Sequence, residues 1–286
     1  VRFVEFGRMG KNLVLNKLIP MAETDIVIFM DADHRPAPDV FSKLVAPMAD
    51  DSLGGTIPRV LMTGDDGTDD SGAGSEAFYQ RYEAFLRAKE SEISTTINSI
   101  GIYAARRELL DPIPNDYVCD DLFNVFTLAI KRKRFVYVPD AVVREARSRS
   151  IAGEMKRRVR LSAGGISAVI SRARLFNPFY GWAHLFFVSH KVMRYFLPIF
   201  LACLAVCSAL NFGSGSILSD VLLWGQVVFY SAALLGYALD KSGISAGPLK
   251  LPLFMLTLCT GFAIGLFRVL ARGQNAMWET VYTKGK

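Results

Sequence analysis

Three apolar stretches in the last third of the chain restrict its folds more than any other feature. Residues 217–239 carry one charge, Asp220, and residues 251–271 carry only Arg268. Residues 192–210 hold Pro198 and a single arginine. Crossing a bilayer takes roughly 20 mostly apolar residues. Three such runs in succession predict a transmembrane all-α region of about three helices within 176–286, in preference to three buried core helices. Residues 1–175 are mixed in composition and read as a separate α/β domain.

Charge is distributed just as unevenly. The net charge is +6, yet residues 131–194 hold 15 Lys and Arg against 3 Asp and Glu, and the rest of the chain is net acidic. This basic block lies directly before the first apolar run, where cytosolic flanks of membrane helices are placed and where anionic headgroups attract cations. No nucleic-acid recognition motif accompanies it, so we expect membrane lipids as its neighbours and no nucleic acid. The four cysteines, Cys119, Cys203, Cys207 and Cys259, form no disulfide framework and no metal-ligand spacing with the three histidines. A disulfide-stapled module, a collagen and a disordered chain are excluded by composition. No signal peptide is visible, and the chain opens at Val1 in strand-like sequence, which reads as a continuation from upstream.

Along residues 1–175, strand-like and helix-like segments alternate. Strands are expected at 1–6, 25–30, 53–62 and 135–138, the last stopped by Pro139. Helices are expected at 11–18, 38–48, 76–91, 119–130 and 150–169. The run DIVIFM at 25–30 has the look of a strand buried on both faces. The 76–91 helix places Phe78, Tyr82, Phe85 and Leu86 on one face. Residues 64–75 (GDDGTDDSGAGS) read as a loop. Alternation of this kind predicts a mainly parallel sheet covered by helices.

Three groups of residues carry chemistry. Asp31 and Asp33 follow the 25–30 strand, at the end where open α/β sheets bind ligands. In extended chain they point to one side, an arrangement suited to Mg²⁺ or Mn²⁺ sharing phosphate oxygens. Asp120 and Asp121 open a helix, where the dipole favours carboxylates in any case; one of them is also placed to act as general base toward a hydroxyl. Lys156, Arg157, Arg158 and Arg160 lie on one helix, with Arg157 and Arg160 on a shared face. Arginine forks bind phosphate bidentately, and a headgroup-facing amphipathic helix is the competing use of the same residues.

In this order, these segments resemble the family 2 glycosyltransferases, and within them the membrane branch of cellulose, chitin, hyaluronan and poly-N-acetylglucosamine synthases. GKNLVLN at 10–16 is similar to the family's G-K-x-x-A-L-N, with Val14 in place of Ala. DADHRP at 31–36 resembles its metal-binding D-x-D with the H-x-P tail. SIGIYAARR at 99–107 is similar to its G-x-x-x-A-x-R-R segment, with a spacing one shorter. Asp120-Asp121 stands where T-E-D or G-D-D ends in the catalytic base, and YVPDA at 137–141 is like the strand that follows. RRVRL at 157–161 occupies the place of Q-x-x-R-W, with Arg157 for the Gln and Leu161 for the Trp that stacks on the acceptor sugar.

The resemblance implies a GT-A, Rossmann-like nucleotide-sugar domain without its first strands, followed by the transmembrane region. It implies inverting transfer of a sugar from a nucleoside diphosphate, UDP by preference, to an acceptor hydroxyl, in extracellular or cell-surface polysaccharide synthesis. Asp31 and Asp33 would hold Mg²⁺ or Mn²⁺. Asp121 would be the base, with Asp120 beside it. Lys11, Asn16, Arg157, Arg158 and Arg160 would serve the diphosphate, and Gly101, Tyr103 and Arg106 the acceptor side. The partners would be a UDP-sugar, a growing glycan or lipid acceptor, and membrane lipids. The protein would sit in the plasma (inner) membrane with its catalytic domain cytosolic. The missing Trp favours an alternative, addition of one sugar to a lipid. A non-catalytic scaffold and a transporter are rivals of other classes; the intact aspartates oppose the first and the scarcity of polar mid-span residues the second. The segment 268–286 carries a basic excess that also favours the cytosol, which would require one apolar segment to be interfacial or residues 179–194 to enter the membrane.

Overall fold

The computed structural model describes residues 3–7, 9–63, 75–115, 117–146 and 151–271. The loop expected at 64–75 (all but its last residue) and the basic tail beyond residue 271 lie outside these, as do Val1 and Arg2. Residues 3–7 form no strand, contrary to the expectation for 1–6.

The elements run α1 (Lys11–Leu18), β1 (Ile26–Met30), β2 (His34–Pro36), α2 (Val40–Val45), β3 (Leu53–Thr63), α3 (Ser75–Ile93), β4 (Ile102–Arg106), α4 (Asp120–Ile130), β5 (Arg134–Ala146) and α5 (Ile151–Ser171). They are followed by α6 (Trp182–Phe186), a π-helical turn (Phe187–Val192), α7 (Met193–Leu210), α8 (Ile217–Lys241) and α9 (Lys250–Leu270). The sheet order is β1-β4-β3-β5-β2. Only β3 and β5 are parallel; β1–β4, β3–β4 and β2–β5 are antiparallel. The sheet is therefore mixed, where strand–helix alternation alone predicts a mainly parallel one. β1 is also an edge strand among the described residues, with Phe29 its only buried residue.

Side chains of β4 alternate between two cores. Ile102 and Ala104 join Val40, Leu44 and Met48 of the α2 side, whereas Tyr103 and Ala105 join Phe126, Phe135 and Ile166 on the α4–α5 side. A strand with both faces covered shows no polar positions, which is why its sequence reads as a continuous apolar run.

β1 and β2 stand at opposite edges of the sheet, yet only residues 31–33 join them. The four backbone steps from Met30 to His34 cover at most about 14 Å, while five flat strands would separate the edges by ~19 Å. The sheet must curl, and the pairing shows where. The β3–β5 register slips between Pro58 and Arg59, which face Val138 and Val142. Such a bulge bends a strand and increases its twist. Pro139 therefore marks a bend inside β5 and not its end. Beyond the bend, β5 carries β2 back over the end of β1, and residues 31–33 close the gap.

Three helical runs are long and apolar enough to cross a membrane: Trp182–Leu210, Ile217–Lys241 and Gly247–Leu270. The first begins ten residues earlier than the apolar run suggests, because α6 and the π-helical turn continue directly into α7.

Candidate active site

The site lies where the curled sheet closes. The Asp31 amide donates to Gly101 O at 3.1 Å, and the His34 amide donates to Asp31 O at 3.2 Å, which fixes the turn. Asp31, Asp33 and His34 each offer a ligand atom, all within 4.8 Å of one another. Both His34 ring nitrogens are buried without a hydrogen-bond partner among the described residues. The nearest acceptors are Asp33 Oδ1 at 3.4 Å and Glu145 Oε2 at 3.9 Å. Two carboxylates and an imidazole whose polar atoms lack partners fit a divalent cation that takes oxygen and nitrogen ligands.

Gly101 makes this turn sterically allowed. A Cβ there would overlap Asp31 Oδ2 and stand 3.0 Å from Asp31 Cγ and 3.1 Å from His34 Cε1.

Lys11, at the first turn of α1, bridges the two carboxylate groups. Its Nζ lies 2.8 Å from Asp31 Oδ1 and 3.0 Å from Asp120 Oδ1. Burial disfavours its charge, but Asp120 and Asp31 outweigh that and hold the ammonium above its usual range. Asn12 donates to the backbone carbonyls of Pro114 and Tyr117 at 3.0 and 2.7 Å. Asn16 donates to Ile113 O at 2.7 Å and accepts from the Ile113 amide at 2.9 Å. The amide of Asn16 thus holds the segment leading to Asp120, and nothing in its contacts marks it as a nucleotide ligand.

Asp120 and Asp121 occupy the first turn of α4. Burial raises the Asp120 carboxyl, with Lys11 opposing. The Asp121 carboxyl is pushed up to about 6, first by burial and then by the neighbouring Asp120. Its Oδ1 accepts from the Leu122 amide at 2.8 Å.

The arginines of α5 take separate paths. Arg157 Nη2 donates to Glu145 Oε1 at 2.9 Å. Glu145 is the cross-strand partner of His34; burial raises its carboxyl while Arg157 and His34 oppose this. Arg158 instead lies over the Phe254 ring of α9 at 4.7 Å, toward the long apolar helices. Arg160 follows Arg157 by three residues and is half-buried.

Two residues expected on the acceptor side make internal contacts. Tyr103 is 1% exposed, stacked on Phe29 at 4.6 Å, and its hydroxyl accepts from Asn124 Nδ2 at 2.7 Å. Arg106 pairs across from Ile26, the end of β1 remote from Asp31, and donates to Leu53 O and Met48 O. Tyr103 lies in the core within reach of the charges of Asp120, Asp121 and Asp31, and Arg106 clamps the start of β3. Sequence reasoning missed His34 and Glu145 as members of the site. Glu145 did carry a signal: it is one of three acids in the basic block of 131–194.

Residues 1–113 match the family model described as Glycosyl transferase family 2. The match spans Lys11, Asp31, Asp33 and Gly101 and ends before Asp120. The likeness is of this segment, 113 of the 286 residues. Among solved structures, the chain is similar to the mannosyltransferase PcManGT from Pyrobaculum calidifontis, described in complex with GDP-Man and Mn²⁺. The identity is 22% and the TM-score 0.61, over 93% of this chain and 68% of that one. At that identity the likeness establishes the fold: a GT-A-like α/β domain followed by long apolar helices. A glucosyl-3-phosphoglycerate synthase from Mycobacterium tuberculosis, described with Mn²⁺, UDP-glucose and phosphoglyceric acid, matches at 22% identity and TM-score 0.37. It overlaps 58% of this chain and 55% of its own, too loosely to bear on the fold. No curated protein sequence matches the chain.

Proposed function

We propose that the chain is a metal-dependent, inverting membrane glycosyltransferase that moves a sugar from a nucleoside diphosphate to an acceptor hydroxyl. One observation carries this reading. The Asp31–Asp33–His34 cluster and the Asp120–Asp121 pair lie on different elements, and Lys11 joins them through contacts of 2.8 and 3.0 Å. Donor and acceptor chemistry can then meet at one place.

Asp31 and Asp33, with His34, would hold Mg²⁺ or Mn²⁺. Bound there, the ion would offset charge on the diphosphate oxygens. The remaining steps fall to the chain's own groups. Asp121 accepts the proton of the acceptor hydroxyl as that oxygen attacks the anomeric carbon. A carboxyl near 6 is mostly ionised at pH 7 and is a stronger base than an ordinary aspartate. The bond from the anomeric carbon to the diphosphate oxygen breaks, and the negative charge left there is met by Lys11 and by the α5 face of Arg157 and Arg160. Asp120 holds Lys11 in place.

UDP is the donor we favour, on the resemblance of DADHRP and the later segments to polysaccharide synthases. The mannosyltransferase above was described with a guanosine nucleotide, so the base must be tested directly. Leu161, at the place of the acceptor-stacking Trp, is 41% exposed. That observation favours a second reading, transfer of a single sugar to a lipid. The basic block before the first apolar run favours a cytosolic catalytic domain at the plasma (inner) membrane.

The test uses the protein in vesicles with radiolabelled UDP- and GDP-sugars, with and without EDTA. Transfer from one nucleotide class, abolished by EDTA and by Asp31→Asn, is expected. A long product supports the polysaccharide reading and a singly glycosylated lipid the second. Transfer unchanged by EDTA and by Asp31→Asn refutes the site.

A further inference from the structure

Helix α3 is turned inside out relative to a helix packed against a domain in water. Its buried described positions are Glu83, Arg87, Glu90 and Ser91, all polar, whereas Phe78, Tyr82 and Phe85 are 55%, 49% and 58% exposed. The three aromatics fall at i, i+4 and i+7, so they form one stripe. The inner face is satisfied by polar partners. Glu83 meets Arg194 at 2.6 Å, His190 lies between Glu90 at 2.5 Å and Glu83 at 3.3 Å, and Asn98 donates to Glu83 at 2.6 Å. The outer face carries the three rings, each about half exposed among the described residues.

The position of α3 indicates what meets them. Tyr79, on the turn between Phe78 and Tyr82, packs on Phe254 of α9 with ring centroids 5.7 Å apart. Its hydroxyl accepts from Arg194 Nη1, at the start of α7, at 2.9 Å. Both α7 and α9 belong to runs of membrane-crossing length. Next to these contacts, Met193, Phe196 and Leu251 are exposed at 48%, 40% and 42%. The aromatic stripe therefore continues the apolar surface of the membrane helices onto the catalytic domain. Aromatic rings concentrate at the membrane–water boundary, and a helix with one aromatic face and a charged opposite face lies in that plane. Here the charged face is bound to protein instead of water.

We propose that the Phe78–Tyr82–Phe85 face of α3 sits in the headgroup layer of the bilayer and holds the catalytic domain against it. The occupant is the lipid surface itself. No residue of the proposed active site takes part, so this inference stands or falls independently of the reaction.

A nitroxide at Phe85→Cys tests it, in the full chain with Cys203, Cys207 and Cys259 changed to Ala, reconstituted in vesicles of phosphatidylcholine and phosphatidylglycerol. A nitroxide at Glu108→Cys, an exposed position in the turn after β4, is the aqueous reference. Collision with dissolved oxygen should exceed collision with a water-soluble nickel chelate at position 85, and the order should reverse at position 108. Free collision of the nickel chelate at position 85 overturns the proposal, because the face is then in water. Exclusion of both agents also overturns it, because protein, either another segment or a second copy, then covers the face.

Discussion

Gly101 leaves room for Asp31, and this clearance can be tested. Adding one methyl group, Gly101→Ala, puts a Cβ into Asp31 Oδ2 and against Cγ at 3.0 Å. The β4 backbone should survive, while Asp31 and His34 must move. A displacement near 1 Å at such a position costs on the order of 10²-fold in turnover. Mn²⁺ binding, followed by calorimetry, should weaken in parallel; unchanged Mn²⁺ affinity would show that the turn does not hold the metal. Asp121 gives a second test. Asp121→Asn should lower kcat by about 10²–10⁴-fold, the usual worth of a general base. The base must be ionised, so wild-type kcat should fall as pH drops through about 6. Asp120 raises the Asp121 carboxyl by repulsion, so in Asp120→Asn that acid limb should shift to lower pH. An acid limb that stays in place would mean that some other group sets it. The aspartates and Lys11 were legible in the sequence because each lies in a short motif. His34 and Glu145 were not assigned, since their meeting depends on the antiparallel register of β2 against β5, which no spacing along the chain encodes. The surroundings of Tyr103 and Arg106 were not legible either: strand alternation sends one into the core beside Asn124, and strand length sends the other to the far end of the sheet.

At the scale of elements, α3 shows that an apolar stripe does not by itself say where the stripe points. The apolar periodicity is real and the helix forms, Ser75–Ile93. Such a stripe must face inward only where water lies outside, and α3 packs beside α7 and α9, which belong to runs of membrane-crossing length. The inner face is instead a buried charge network. Glu83 illustrates its balance: burial raises the carboxyl, but His190 and Arg194 outweigh this and hold it well below the usual range. Removing one member of such a buried set is costly, about 3–5 kcal/mol, because the cations are left without their counter-charge. Glu83→Gln should therefore lower the unfolding temperature in detergent sharply. Glu92→Gln, which breaks the exposed Lys89–Glu92 pair of the same helix, should cost less than about 1 kcal/mol. Equal effects would show that the network contributes no more than a surface pair. Sheet polarity was misread for a different reason: alternation of helices and strands favours parallel crossovers, but β4 follows a long helix and still runs antiparallel to both neighbours.

Across the whole molecule, α5 is the part that joins the long apolar helices to the candidate site. It reaches the site through Arg157 and Glu145 at 2.9 Å. It passes the start of α4 so closely that a Cβ on Gly164 would lie 2.6 Å from Cys119 Sγ, and a Cβ on Gly165 would overlap the Tyr195 hydroxyl of α7. Against α9 it packs through small residues on both sides: a Cβ on Gly265 would be 2.6 Å from Ser162 Cβ and 3.0 Å from the Ala163 backbone nitrogen. Small residues allow apolar helices to approach this closely, and the backbone atom on the α5 side cannot rotate away. Gly265→Val must therefore push α5 off α9 and carry Arg157 and Arg160 with it. If those arginines meet the leaving diphosphate, turnover should fall by on the order of 10²-fold for a shift near 1 Å, with the protein still retained in the membrane. Gly225→Val is the matched control, since a Cβ on that glycine of α8 has nothing within 4 Å. Both variants add the same apolar bulk to a membrane helix, so insertion and expression should change alike. Loss of transfer in Gly265→Val with wild-type transfer in Gly225→Val would place the coupling at the α5–α9 contact. Wild-type transfer in both would mean that the site does not depend on how α5 rests on the membrane helices.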